Sequence, residues 1–393
     1  MKTITNWPLA MAILSLSIST FVTGAAVAPA LGKIANAFPG ASPLAIQMVI
    51  SLPAIAIIPA SLGSGRLARL LGKRRLTLLG MLVYIAGGTG AALAPSMTVL
   101  LAFRMILGLG AGVLLPLSIA LIADFYTGPA RTRLTGYSGG VAGLGGTVIT
   151  LLAGWLGNWG WRQVFGVYLV MAVPLVLCIL FLKEPEAPAE EDTITKAGGI
   201  LALWLNPQVI KASGLMFFIT VMVFAVPLYM AIYMQDMGTG GPLEASWIMV
   251  MPNLAGIFSG LVFSDFKRVF RKQAYPAGFL LLAGGFFILG MAARLPFLIA
   301  GAFVFGAGLG LLNPLNYLRV VNAVPLEGAP LSLAVANSFM FLAQFTAPLV
   351  YSVLMASSLI TTMGSVYLLN AVVSVSVALF LGVRGWVQDK QPV

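Results

Sequence analysis

One residue in this chain sits where its chemistry is expensive. Arg104 lies inside the apolar run that begins near residue 97, and an arginine at the centre of a membrane-spanning helix costs roughly 2.5–3.5 kcal/mol on insertion scales. It therefore has a job: binding or coupling to a substrate, or anchoring structure by reaching toward the headgroups. Around it in type, though distant in sequence, are neutral hydrogen-bonding side chains at helical spacing. Thr20 and Thr23, Tyr229 and Tyr233, Asn313 and Asn316, and Asn337 and Gln344 recur at three, four or seven residues, so each pair shares one helix face. Asn253 stands alone in another apolar run. Such groups either line a path for a polar solute or join helices to one another.

The chemistry that is missing narrows the reading further. The chain has no histidine, and its single cysteine, Cys178, lies in an apolar run and reads as a small buried hydrophobe. With no imidazole and a lone buried-type cysteine, the pattern speaks against catalysis by metal, thiol or imidazole. A membrane-embedded transferase would need convergent catalytic groups that the scattered carboxylates do not supply, so the chain reads as a non-enzyme without a cofactor or metal. Asp124, Asp236, Glu244 and Asp265 fall at the ends of apolar runs rather than within them. A carrier of lipophilic cations would be expected to bury a carboxylate. This pattern suits a neutral, amphipathic or anionic small molecule instead.

The elements that must position these residues follow from composition. Of 393 residues, 60% are apolar and 8% charged, which leaves no room for a sizeable soluble domain and implies a polytopic membrane protein. Helices of about 20 apolar residues are needed to cross a bilayer. Twelve such segments can be drawn, near 7–30, 43–64, 76–94, 97–123, 134–157, 163–182, 212–234, 245–263, 275–293, 296–321, 331–356 and 360–382. The first is read as a crossing rather than a cleaved secretory leader, because no soluble domain follows it.

Placing both termini in the cytoplasm puts 18 of the 22 Lys and Arg residues inside and three outside (Lys33, Arg162 and Arg294), with Arg104 in a helix. The net charge of +11 is thus an address for topology rather than a nucleic-acid surface. The stretch from Lys183 to Lys196 holds Glu184, Glu186, Glu190, Glu191 and Asp192 and reads as a solvated linker. The expected organisation is a six-helix bundle over 1–183, a cytoplasmic linker over 184–210 and a second bundle over 211–393.

An internal repeat supports that division. At an offset of 198, Gly108, Gly110, Gly112 and Pro116 match Gly306, Gly308, Gly310 and Pro314, while Arg69, Lys73 and Arg74 match Lys267, Arg271 and Lys272. Six crossings per half return the chain to the same side, so the repeat is parallel, about an axis along the membrane normal. The glycines let helices approach closely, and each proline removes a helical hydrogen bond.

These features resemble the major facilitator superfamily over essentially the whole chain. The loop from Gly65 through Arg69 and Gly72 to Lys73, Arg74 and Arg75 resembles that family's basic loop after the second helix. Asp124 to Gly136, with Arg131, looks like its fourth-to-fifth loop. Arg104 with Gly108 resembles the arginine signature of the fourth helix, and Gly160-Trp161-Arg162 the start of its sixth. The resemblance implies an all-α fold of twelve transmembrane helices in two six-helix bundles related by a pseudo-twofold repeat. It also implies alternating access, with helices 1, 4, 7 and 10 lining the cavity and a cytoplasmic gate of basic loops paired with acids.

Here that gate would use Gly65, Arg69, Gly72, Arg74, Asp124, Arg131, Asp265 and Arg268. The acidic position of the first loop is occupied by Arg69, and Asp124 is available to Arg69 or Arg74. The family's antiporter signature in the fifth helix is not intact: Ile149 and Thr150 stand where Gly-Pro is expected. The functional expectation is a secondary transporter exporting a small organic compound across the inner membrane, acting as a monomer, with protons as the candidate coupling ion. The alternative is a facilitator or importer of an organic anion.

Overall fold

The computed structural model describes residues 7–19, 23, 25–185, 206–325, 328–357, 360 and 362–389. Thr20 and most of the expected linker, residues 186–205, lie outside the described residues. Backbone polar groups in hydrocarbon must be paired within their own segment, and every regular element is accordingly helical.

The first unit runs through α1 (Trp7–Leu16), α2 (Leu31–Ala37), α3 (Pro43–Leu71), α4 (Lys73–Gly90), α5 (Met97–Phe125), α6 (Gly128–Trp159), α7 (Trp161–Val164) and α8 (Ala172–Phe181), with 3-10 turns at Ala25–Ala30, Ala91–Leu93 and Phe165–Met171. The second holds α9 (Pro207–Val223), α10 (Ala225–Asp236), α11 (Pro242–Phe270), α12 (Ala274–Met291), α13 (Leu295–Val321), α14 (Ala329–Ala356) and α15 (Met363–Asp389). Contacts group the chain into two compact units, Met1–Ala197 with Gln344–Pro348, and Gly198–Ala343 with Leu349–Val393.

Eleven helices among the described residues are long and apolar enough to cross a membrane. The expected first crossing is represented by the shorter apolar α1 and the Ala25–Ala30 turn. Helix starts carry the sequence's own signals. Ser42 and Ser96 each accept a hydrogen bond from the main-chain N–H three residues on, and Asn206 accepts from those of Gln208 and Val209. Pro43 and Pro207 occupy first positions, where a missing N–H costs nothing.

Several helices outrun the apolar segments drawn from sequence. α3 continues to Leu71 rather than 64 and α11 to Phe270 rather than 263. The reason is physical: Arg66, Arg69, Lys267 and Arg268 end the hydrophobic run, yet arginine and lysine are good helix formers. The helix therefore continues past the last apolar residue.

The glycine–proline repeat appears as packing. In the first unit α3 and α4 both pack on α5; in the second, α11 and α12 both pack on α13. A Cβ on Gly108 would strike the backbone of Pro53 and lie 2.8 Å from Ala56, and one on Gly306 would strike Pro252 and lie 3.0 Å from Ala255. Gly110 faces Gly80 and Tyr84, as Gly308 faces Gly278 and Leu282. The same positions do the same work in each half.

Candidate functional site

The first unit's polar centre is built on Arg104. Its side chain is fully buried on α5, yet it has no carboxylate partner among the described residues. Nε donates to the Val49 carbonyl at 2.7 Å, Nη2 to the Thr23 carbonyl at 2.7 Å and Nη1 to the Tyr168 hydroxyl at 2.6 Å. The Tyr168 hydroxyl in turn has the Thr23 carbonyl at 3.3 Å, and its ring lies 5.5 Å from the guanidinium carbon.

The two carbonyls are orphans of local sequence. Pro53, inside α3, has no N–H for the carbonyl four residues earlier, which is that of Val49. Thr23 lies between α1 and the Ala25–Ala30 turn, outside regular helix. A guanidinium offers five N–H groups in a planar fork, so one buried arginine satisfies both carbonyls and fixes a tyrosine. Tyr84 stacks edge-on against Tyr168 at 5.8 Å.

The second unit builds its polar centre without charge. α9 and α10 are separated at Phe224, ahead of Pro227, which cannot donate to the carbonyl of Val223. Tyr351 from α14 meets this break. Its hydroxyl lies 3.3 Å from the Val221 carbonyl and 3.4 Å from that of Met222, and it accepts from Asn370 Nδ2 at 2.8 Å. Tyr229 stacks edge-on against Tyr351 at 5.6 Å, and Tyr233 lies 5.7 Å from Tyr367. Tyr233 donates to the Gly290 carbonyl at 3.4 Å. The Tyr367 hydroxyl is buried with no hydrogen-bond partner among the described residues.

The residues singled out from sequence fall as follows. Thr23 is buried, its hydroxyl donating to the Ser19 carbonyl. Tyr229 and Tyr233 are both buried within the aromatic group just described. Asn316 is buried with an unpartnered Oδ1, whereas Asn313 is exposed and Asn253 half-buried. Asn337 accepts from the Tyr317 hydroxyl at 3.3 Å, and Gln344 is half-buried on the same helix.

At the basic loop, Asp124 pairs with Lys73 at 2.7 Å rather than with Arg69 or Arg74. Gly72 takes φ +83°, a left-handed conformation natural only to glycine, so α4 starts immediately and Lys73 faces the foot of α5. Arg74 instead sends Nη2 to the Ile179 carbonyl at 3.0 Å. Gly65, Arg69, Arg131, Asp265 and Arg268 are exposed, and no ion pair forms at Asp265 among the described residues.

Sequence reasoning passed over Tyr168, Tyr351 and Asn370, which complete the two polar centres, and Lys73, which completes the ion pair. Pro53 was the available pointer, since a proline inside a helix leaves the carbonyl four residues earlier without its N–H.

A sequence profile described as Major Facilitator Superfamily matches residues 9–270. The chain belongs to the major facilitator superfamily. Major facilitator proteins are transport proteins and not enzymes, which accords with the absence of a catalytic constellation in the sequence.

Among curated relatives, the multidrug transporter protein MdtP of Bacillus subtilis (strain 168) is 23% identical over 357 residues, covering 76% of this chain and 65% of MdtP. The cephamycin export protein CmcT of Amycolatopsis lactamdurans is 36% identical over 145 residues, covering 36% of this chain and 29% of CmcT. The chain thus spans less than two-thirds of the length of these relatives. Among solved structures, the nucleoside transporter NupG (D323A mutant) superposes with a TM-score of 0.75 at 14% identity, covering 95% of this chain and 99% of NupG. The inward-open xylose transporter XylE from E. coli superposes at 0.71 and 16% identity, over 95% and 94%. Both establish the major facilitator fold of this multi-pass membrane protein.

Proposed function

We propose that this chain is a secondary active exporter of small neutral or amphipathic organic compounds. In this reading it works by alternating access in the plasma membrane, with both termini cytoplasmic. The bundles over 1–183 and 211–393 are the moving parts and 184–210 joins them. The observation that carries the reading is the enclosure of Arg104: its side chain has no exposed surface, and all three of its nitrogens are engaged by protein oxygens. With that cation occupied, and with no Asp or Glu in the central part of a span among the described residues, the membrane-embedded region offers a substrate no charge. It offers neutral donors and acceptors instead, of which Asn253, Asn313, Asn337 and Gln344 keep exposed surface. The export direction is supported by the relatives named as a multidrug transporter and a cephamycin exporter.

An organic-anion importer would need a cation facing its solute, and Arg104 is turned to carbonyls. The test is accumulation of a neutral lipophilic dye, and of a permanently cationic one, in cells with and without the protein. Export predicts lower accumulation of the neutral dye, reversed when a protonophore collapses the proton gradient. Higher accumulation of the neutral dye would sink the direction, preference for the cationic dye would sink the substrate class, and indifference to the protonophore would sink proton coupling.

A further inference from the structure

A cavity of about 540 Å³ lies between the start of α4 and the end of α8, outside the polar centre of the first unit. Its walls are of two kinds. Leu71, Leu180 and Leu182 are apolar; Arg74, Arg75 and Lys183 are cationic, with Glu184 the one carboxylate. That carboxylate is already engaged. Its oxygens accept the main-chain N–H groups of Lys73 at 2.6 Å and Arg74 at 3.0 Å, at the positive end of the α4 dipole. Lys73 is likewise neutralised by Asp124.

The remaining cations are not compensated. Arg75 and Lys183 are exposed, with no hydrogen-bond or ion-pair partner among the described residues, and Arg74 Nε is buried without a partner. Immediately beside them are side chains fit only for hydrocarbon: Leu180 is 66% exposed, and Ile179 and Phe181 are exposed with it. Free cations at the end of a membrane span, next to an exposed apolar ridge, match the two ends of a phospholipid.

The geometry points to a binding site for an anionic phospholipid at this corner of the first unit. Arg75 and Lys183 hold the headgroup phosphate, Arg74 stands behind them, and an acyl chain lies along Leu180 and Phe181. A zwitterionic lipid lacks the net charge and inorganic phosphate lacks the chain, so each forfeits one half of the site.

The test titrates the purified full chain, in neutral detergent micelles, with phosphatidylglycerol, phosphatidylcholine and inorganic phosphate, and reads lipid binding by native mass spectrometry. Each interfacial cation contributes about fivefold in affinity for an anionic lipid surface, so the Arg75→Gln/Lys183→Gln variant should bind phosphatidylglycerol about 25-fold more weakly. Arg133→Gln, which removes an exposed charge outside the cavity, should bind as the wild type does. The charge-preserving Arg75→Lys/Lys183→Arg variant should also keep binding, which separates lost charge from a damaged fold.

The site is overturned if the glutamine pair binds phosphatidylglycerol as tightly as the wild type, or if Arg133→Gln loses as much. Equal affinity for phosphatidylcholine overturns it too, as does equal loss in the charge-preserving pair. Displacement of the lipid by millimolar inorganic phosphate would make this a free-anion site and remove the lipid from the proposal.

Discussion

The two halves of this chain secure the same weak point by different chemistry. In the first, the non-helical stretch at Thr23 is held by a buried cation, Arg104, assisted by Tyr168. In the second, the break at Phe224 is held by Tyr351 and Asn370, which carry no charge. The repeat offset of 198 sharpens the contrast: Ala302 stands opposite Arg104, Asn322 opposite Asp124 and Gly382 opposite Glu184. Every one of these charged devices has a neutral counterpart. The glycines that set helix approach are retained, because close packing is needed wherever two helices cross. A charge-assisted hydrogen bond is roughly twice as strong as a neutral one, so the clamp in the first half is expected to be the stronger of the two.

The largest effect that could break this comparison is at Arg104. Arg104→Met keeps much of the volume but strands the Val49 carbonyl, at about 1–3 kcal/mol, and takes the charge-assisted bond from the Thr23 carbonyl, which keeps only the longer contact with Tyr168, at about 1.5–3 kcal/mol more; the sum is read as a lower melting temperature of the purified protein. Arg104→Lys should rescue little, since one ammonium cannot reproduce a three-way planar fork. The shared skeleton comes next. Gly108→Ala and Gly306→Ala should each destabilise by about 1–3 kcal/mol through overpacking, and similar melting shifts for the two would show that the crossings are energetically equivalent. Tyr351→Phe should lose only about 1 kcal/mol; a loss matching that of Arg104→Met would remove the asymmetry between the clamps. Smallest is Asp124→Asn, whose part-buried pair with Lys73 is worth about 1 kcal/mol and is partly screened by salt. The wild type should approach the variant's melting temperature as salt is raised, and a constant gap would mean that Asp124 acts otherwise than through this pair.

Much of the fold could be read from the chain because membrane helices announce themselves by apolar length, and because Gly108 and Gly306 with their following prolines mark the repeat. Arg104 was conspicuous for the same reason, as one charge in a greasy run. Its role was hidden, since its acceptors are the main-chain carbonyls of Thr23 and Val49, and a sequence displays side chains only. Tyr168, Tyr351 and Asn370 were passed over because a lone tyrosine or asparagine in a span looks like packing until the carbonyl it faces is known. Asp124 was recognised as a gate residue but assigned an arginine partner. The positive φ of Gly72, which turns Lys73 toward it, is a backbone fact that residue types only hint at. Glu184 was read as part of a solvated acidic run, whereas its carboxylate caps α4.

The Arg104 clamp also bears on how the chain is made. The guanidinium takes its two carbonyls from residues 81 and 55 positions upstream, in segments that leave the ribosome before α5 does. When α5 enters the bilayer, its costly charge meets acceptors already delivered by earlier helices, and only Tyr168 is still to come. The order of synthesis thus matches the order in which the clamp's partners become available, and a charge that would resist entering lipid alone can enter with its acceptors already in place.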